Sequence, residues 1–330
     1  METGETRNDS KISVVIPAYN EQTTIIGLLD DIKNGTLLPY EIIVVDAGST
    51  DDTAMLVATW AINNKDINLK LVRSEGTTYP GRARNLGVAE ASGALIAFID
   101  CGLIPNRTWL EDLVRPTKTE NAEVVWGKCM PKCDTLWEEA FASIVEPKST
   151  DASRRVVPNS CITKELFNRI GGFREDLRAA EDLLYKRTIA SQEVQESFSE
   201  ALTWYTGYPT SYAKALKKWM LYAEFDVYAG THRRKLFLSS LQAGIVLATP
   251  IVFRSIPKTT LFFVVLAILR TMVSVCGRGV RLNAIQWLYA VGIACSIDLG
   301  RGLGLANGLY KKNYSNTGSF RDFGGNEKEL

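Results

Sequence analysis

The sequence predicts an α/β fold on a mostly parallel sheet, followed by a set of hydrophobic helices. Three observations predict it. Short apolar runs at residues 12–16, 42–46, 69–73 and 94–99 alternate with helical stretches through the first hundred residues, the rhythm of α/β units. Those runs are apolar nearly throughout rather than alternating, as strands covered on both faces are. Toward the C-terminus long stretches lose their charge: residues 236–253 carry none and residues 259–276 carry only Arg270.

Each element has a local reason. Residues 12–16 are mostly β-branched and end at Pro17, and the helix expected over 21–33 follows. Residues 42–46 form a second strand ending in a turn at Ala47, Gly48 and Ser49. Ser49 or Thr50 is expected to cap a helix opening with Asp51 and Asp52, where acids favour the positive end. Residues 69–73 are a third strand, 81–91 a helix, and 94–99 a fourth strand running into Asp100. A helix over 109–115 and a strand over 123–127 come next, then a less regular region to about residue 160. Helices are expected over 164–170, stopped by Gly171 and Gly172, over 180–191, and over 212–227.

Beyond the basic run His232–Lys235, residues 236–253 and 259–276 are each near the lower limit for crossing a bilayer, and the loop between them is short. They are expected to form a membrane hairpin, with residues 284–300 spanning, re-entering or lying flat. The glycines at 300, 302, 304 and 308 point to a flexible or closely packed end. The domain expectation is therefore a disordered 1–10, a catalytic 11–230, hydrophobic helices over 231–310 and a flexible 311–330.

Composition excludes some functions. Lys plus Arg is 38 and Asp plus Glu is 37, which gives no reason to expect nucleic acid as a partner. Cys129 and Cys133 lack a second pair at zinc spacing, and His232 is the single histidine, so the six cysteines are expected to be reduced thiols. The polar start before Ile12 shows no secretory signal, which places the catalytic domain on the cytoplasmic face of a membrane as an expectation.

The chemistry is expected at the carboxyl ends of the strands, where parallel sheets bind ligands. Residues 17–21, 46–49 and 100–102 all fall there. Asp46 and Asp100 end apolar strands, where a carboxylate is costly without a hydroxyl, a base or a metal to partner it. Five segments, VVIPAYNE (14–21), VVDAGSTDDT (44–53), GRARNLG (81–87), ALIAFID (94–100) and GGFRED with a later Glu181–Asp182, resemble the successive signatures of family-2 glycosyltransferases. That family has the nucleotide-diphosphosugar-binding GT-A fold, and the resemblance covers roughly residues 10–230.

The resemblance implies roles. Pro17, Ala18, Tyr19 and Glu21 would wrap the nucleotide, Asp46 would read the base, Ser49 would join the nucleotide-sugar site, and Arg82 and Arg84 would line the nucleotide side near the diphosphate. Two guanidiniums there also suit bidentate pairing with phosphate oxygens. Asp182 would be the general base for inversion at the sugar carbon, with Glu181 orienting the acceptor. A neighbouring carboxylate can raise such a base toward the working pH. The family carries Asp-x-Asp after the fourth strand, its last acid holding a divalent metal, Mg or Mn. Here the triplet is Asp100–Cys101–Gly102. Either Asp100 holds the metal with water and phosphate oxygens, or it holds the ribose, or another acid substitutes; the resemblance implies metal dependence, and this triplet weakens that expectation. Processive members carry Gln-x-x-Arg-Trp; the counterpart at 215–219 keeps only Lys218 and Trp219, on the acceptor or diphosphate side. That points to a single addition.

The expected partners are a nucleotide-diphosphate sugar, a hydroxyl acceptor that is lipid-linked, and membrane lipid. A polyprenyl phosphate acceptor is already an anion and needs no base, so the Glu-Asp pair favours a hydroxyl. A nucleotidyltransferase would show a glycine-rich loop after the first strand, where this chain has PAYNE. A degenerate binding protein is the remaining alternative, supported by Gly102 and opposed by Glu181–Asp182.

Overall fold

The computed structural model describes residues 11–74, 76, 78–146, 155–231, 256–276 and 279–315. They fall into two compact units, dividing between Tyr208 and Pro209. The sequence had suggested a boundary near residue 230; the helix over 212–228 instead groups with the C-terminal helices.

The first unit runs β1 (Ile12–Ala18), α1 (Ile25–Lys33), β2 (Glu41–Asp46), α2 (Thr53–Asn63), β3 (Leu69–Arg73), α3 (Pro80–Glu90), β4 (Leu95–Ile99), β5 (Leu103–Pro105), α4 (Trp109–Thr119), β6 (Val124–Pro131), α5 (Leu136–Val145), β7 (Asn159–Thr163), α6 (Lys164–Ile170), α7 (Glu181–Ala190) and β8 (Glu196–Tyr205). One eight-stranded sheet has the order β3-β2-β1-β4-β7-β6-β8-β5. β1 to β4 pair in parallel. β7 then runs antiparallel to both β4 and β6, β8 runs parallel to β6, and β5 antiparallel to β8. The parallel half matches the apolar runs in the sequence; the other half makes the sheet mixed.

The continuous apolar strands feed two cores, one on each face. Val14, Ile16, Ile42, Val44, Ala97 and Ile99 join α1, α2 and α4 on one side. Val15, Ile43, Val45, Ile96 and Phe98 join α3, α6 and α7 on the other. Alternate residues of each strand serve opposite layers, which is why neither side chain set is polar. A Cβ at Gly87 would collide with Val15, so this glycine sets how closely α3 approaches β1.

Two local expectations are corrected. α2 begins at Thr53 with Asp52 at its N-cap and no side-chain cap; Ser49 and Thr50 are spent on another loop. The region between β6 and residue 160 holds α5, opened by a capping box between Thr135 and Glu138.

The second unit contains α8 (Tyr212–Tyr228), α9 (Ile256–Cys276) and α10 (Ala284–Ser315). α10 is twice as long as the apolar stretch that announced it. Gly300, Gly304 and Gly308 lie along one stripe of α10, and a Cβ at any of them would run into the backbone of α8 at Leu216, Met220 and Glu224. Of the two readings of these glycines, close packing is the one realised. Glu224 of α8 accepts from Asn307 Nδ2 at 2.6 Å and Lys311 Nζ at 2.8 Å. Arg270 of α9 pairs with Asp298 of α10 at 2.8 Å. Among the described residues one helical segment, Ala284–Asn313, is long and apolar enough to cross a membrane, so the described residues give no multi-pass arrangement. Residues 236–253, the expected first arm of the hairpin, lie outside the described residues.

Candidate active site

The carboxyl edge of the parallel strands gathers the first two motifs. Ala18 pairs with Asp46 and Asp46 with Arg73 across β1, β2 and β3, and Asp100 directly follows β4. Because β1 separates β2 from β4, Asp46 and Asp100 lie about 10 Å apart, two strand spacings. The loop after β1 and the loop after β2 are laced together. Ser49 Oγ accepts from Asn20 N at 3.0 Å, Asn20 Oδ1 from Thr50 N at 2.8 Å, and Thr53 Oγ1 from Glu21 N at 2.8 Å. Asp51 and Gln22 add two further bonds at 3.2 Å. Asn20 takes a left-handed φ of 55°, which Asn tolerates better than most residues. PAYNE and AGSTDD thus form one rigid rim.

Asp46 is buried, accepting from Ser49 N at 2.9 Å and lying 3.6 Å from Arg73 Nε. Pro17 is half-buried, Ala18 buried and Tyr19 exposed. Glu21 is half-buried with its carboxylate on Thr24 Oγ1; burial pushes its pKa up against that hydrogen bond, helped by the charges of Asp100 and Asp51.

Arg84 is the hub. It projects from α3, is 2% exposed, and ties two distant carboxylates together. Its Nη2 donates to both oxygens of Asp100 at 2.8 Å, and its Nη1 to Glu181 Oε1 at 3.0 Å. Burial works against its charge, but the two carboxylates outweigh that and keep it cationic. The sequence reading had set Arg84 toward a diphosphate; here its guanidinium is turned onto protein carboxylates, because a buried charge needs fixed partners. Glu181 is raised from its ordinary value, chiefly by burial, with Arg84 opposing and Asp182 adding to it.

The same helix holds the GGF segment in place. Asn85 accepts from Phe173 N at 2.9 Å and donates to Phe173 O at 2.9 Å. A Cβ at Gly81 would collide with the carbonyl of Arg174, and one at Gly172 would meet Asn85 Oδ1 at 2.8 Å. Phe173 stacks on Tyr185 of α7 at 3.9 Å, with the Arg84 guanidinium 5.4 Å from the Phe173 ring. Residues 81, 84, 85 and 88 share one face of α3, so GRARN is a clamp linking the strand edge to α7. The packing roles of Asn85, Phe173 and Tyr185 went unrecognised in the sequence, although Asn85 and Phe173 sit inside motifs that were read. Just before the acid pair, Ala180 adopts φ 71°, a conformation that costs a non-glycine residue about 1–2 kcal/mol.

Asp182 is more open than Glu181. Lys186 Nζ donates to its Oδ2 at 2.9 Å, leaving Oδ1 for another proton. Arg82, in the first turn of α3, is exposed. The lead-in to that turn is fixed to the rim, with Thr78 N donating to Ala47 O at 3.0 Å and Ser74 N to Asp46 O at 3.0 Å. Lys218 and Trp219 lie on α8 in the second unit, Trp219 with its ring 5.9 Å from Tyr222.

The donor set does not fit a divalent cation held by the protein. Both oxygens of Asp100 face Arg84, and Gly102 offers no side chain. Cys101 is a half-buried thiol whose pKa is driven well up, chiefly by desolvation, and its sulfur lies 3.7 Å from Pro17 O. Among the described residues no group of three or more His, Cys, Asp or Glu is placed to hold a metal.

Known proteins resemble this chain in sequence and in fold. The family model for glycosyl transferase family 2 matches residues 13–175. An uncharacterized glycosyltransferase of Rickettsia conorii is 31% identical over 193 residues, 56% of this chain and 31% of that protein. The glycosyltransferase AglE of Haloferax volcanii is 31% identical over 181 residues, 52% of this chain and 59% of its own length. The chain thus spans only part of the curated relatives it matches. The solved structure of the mannosyltransferase PcManGT of Pyrobaculum calidifontis, in complex with GDP-Man and Mn2+, aligns with a TM-score of 0.58 at 19% identity. It covers 92% of this chain and 88% of that one, a likeness of fold.

Proposed function

With residues 13–175 belonging to glycosyl transferase family 2, we propose that the chain moves a sugar from a nucleotide-diphosphate sugar to a hydroxyl, inverting the sugar carbon. The observation that carries this is the bridge Asp100–Arg84–Glu181. It brings a donor-side strand end and an acceptor-side acid pair, 81 residues apart by their numbers 100 and 181, onto one guanidinium.

In this reading the laced rim cradles the nucleoside, with Asp46 toward the base and Asp100 toward the ribose or sugar hydroxyls. Arg82 faces the diphosphate. The acceptor hydroxyl gives its proton to Asp182 Oδ1 as its oxygen bonds the anomeric carbon. The bond from that carbon to the diphosphate breaks from the opposite side, and its electron pair leaves with the diphosphate. Glu181, pinned by Arg84, orients the acceptor. A base within hydrogen-bond reach of the hydroxyl contributes on the order of 10²–10⁴ in rate.

The acceptor is proposed to be lipid-linked and the addition single, at a cytoplasmic membrane face. The apolar segment Ala284–Asn313 supports an acceptor held near a bilayer, and the 215–219 segment, lacking the processive glutamine and arginine, supports one addition.

The test is transfer from labelled UDP- and GDP-sugars to a membrane-lipid extract. Asp182→Asn is expected to lose transfer by about 10²–10⁴ while still binding nucleotide. Product formed only on polyprenyl phosphate, with Asp182→Asn unimpaired, would overturn the hydroxyl reading. Nucleotide binding without turnover by the natural chain would favour a binding protein instead.

A further inference from the structure

The donor diphosphate brings two negative charges that must be met. In a cation-dependent site a divalent ion meets them, held by one or more carboxylates. Among the described residues the carboxylate that directly follows β4 is Asp100, and it is already engaged, while nearby Glu21 is held on Thr24 Oγ1. Arg84 Nη2 lies 2.8 Å from each of its oxygens. The guanidinium cannot swing away, because it is buried and its other arm holds Glu181 at 3.0 Å. A divalent ion on Asp100 would sit within a few ångströms of that fixed positive charge, and like charges so close in a poorly solvated site repel strongly. The second ligand position of the triplet is Gly102, and the sulfur between them is a poor match for a hard cation.

Positive charge is available elsewhere at the edge. Arg82 is exposed in the first turn of α3, and the segment entering that turn is bonded to Asp46 and Ala47. We infer that this site binds the donor diphosphate without a divalent cation held by the protein, the charge being met by Arg82 while Asp100 serves as a hydroxyl acceptor locked by Arg84. This rests on the transferase reading above.

The structure also supplies a gain-of-function test. A Cβ built at Gly102 meets nothing within 4 Å, and its φ of 79° is one that Asp tolerates better than most residues. Gly102→Asp therefore supplies a second acid whose side chain has space, at a backbone cost of about 1–2 kcal/mol. The experiment is calorimetric titration of UDP and of GDP into the full chain, in excess EDTA and in Mn2+. For the natural chain the affinity of the nucleotide that binds is expected to change by less than about threefold between the two conditions. Gly102→Asp is expected to gain at least about tenfold in Mn2+, its new carboxylate and the diphosphate oxygens together supplying the ion's ligands. Arg82→Ala is expected to weaken binding by about tenfold or more in EDTA. A natural chain that binds at least tenfold more weakly in EDTA than in Mn2+ overturns the inference. Unchanged affinity in Arg82→Ala overturns its account of the counter-charge. Failure of both nucleotides to bind in either condition overturns the transferase reading itself, and this inference with it.

Discussion

Arg84 decides the chemistry at the residue scale, because its guanidinium is the shared partner of Asp100 and Glu181. Removing it leaves the buried Glu181 without its partner beside a partly exposed Asp100, and breaking a buried pair costs about 3–5 kcal/mol. Arg84→Met is expected to lower the unfolding free energy by that amount in a denaturant titration. Arg84→Lys keeps the charge, but an ammonium is a point donor that cannot span both acids as a planar fork does. It should fold and lose up to about a hundredfold in kcat, the cost of small misplacement, with nucleotide affinity little changed. Equal losses in kcat and nucleotide affinity would assign Arg84 to binding instead of positioning. This residue's role was hidden in the sequence. GRARN was visible, but its partners lie 16 and 97 positions away, and only the fold brings them together. Arginine near a phosphate site reads as a phosphate ligand until burial shows what it faces.

At the scale of elements, α3 matters most, since one of its faces packs on the sheet and clamps the GGF segment. Its approach is set by glycine, and two glycines separate packing from backbone freedom. Gly87→Ala puts a methyl against Val15 and should destabilise by about 1–3 kcal/mol through overpacking. Gly27, inside α1, has nothing within 4 Å of a built Cβ, so Gly27→Ala should stabilise by roughly 0.5–1 kcal/mol. Thermal unfolding of the two variants, shifting in opposite directions, checks this; a shared direction would contradict the packing. Element legibility followed the same physics. β1, β2 and β4 were readable because both faces are covered by apolar layers. β8 was not, because its buried face is Ser197, Ser199, Ala201 and Thr203 while Phe198 on the other face is 41% exposed. Its hydrophobic alternation is inverted. β7 opens with buried Asn159 and Ser160, Asn159 accepting from Trp109 Nε1 at 2.8 Å and donating to the Ala201 carbonyl at 3.0 Å. By contrast α5 carried a readable signal, the Thr135–Glu138 capping box, that the apolar pattern alone did not prompt.

Across the first unit as a whole, the two edges of the sheet divide the work. The amino edge is stapled by Glu41, which accepts from Ser13 Oγ and from Ser92 N and Oγ, each at 2.7 Å, and pairs with Lys70 at 2.8 Å. Burial opposes its charge, but Lys70 and the hydrogen bonds from Ser92 and Ser13 prevail and hold its pKa at about 2, against an ordinary 4.5. The folded-state pKa is depressed, so this staple contributes its full stability above pH 4.5 and loses it as pH falls toward about 2. Glu41→Gln should flatten stability against pH in that window when denaturant midpoints are followed; an unchanged acid limb would refute the assignment. At the carboxyl edge the strand ends, the laced rim and the Glu181–Asp182 pair converge through α3. The most direct measurement of that convergence is a crystal structure of the full chain with its nucleotide-sugar bound. The account predicts the base beside Asp46, the sugar hydroxyls on Asp100, and the anomeric carbon facing Asp182. A nucleotide seated away from this edge, or Asp182 opening onto a surface the sugar does not reach, would contradict it.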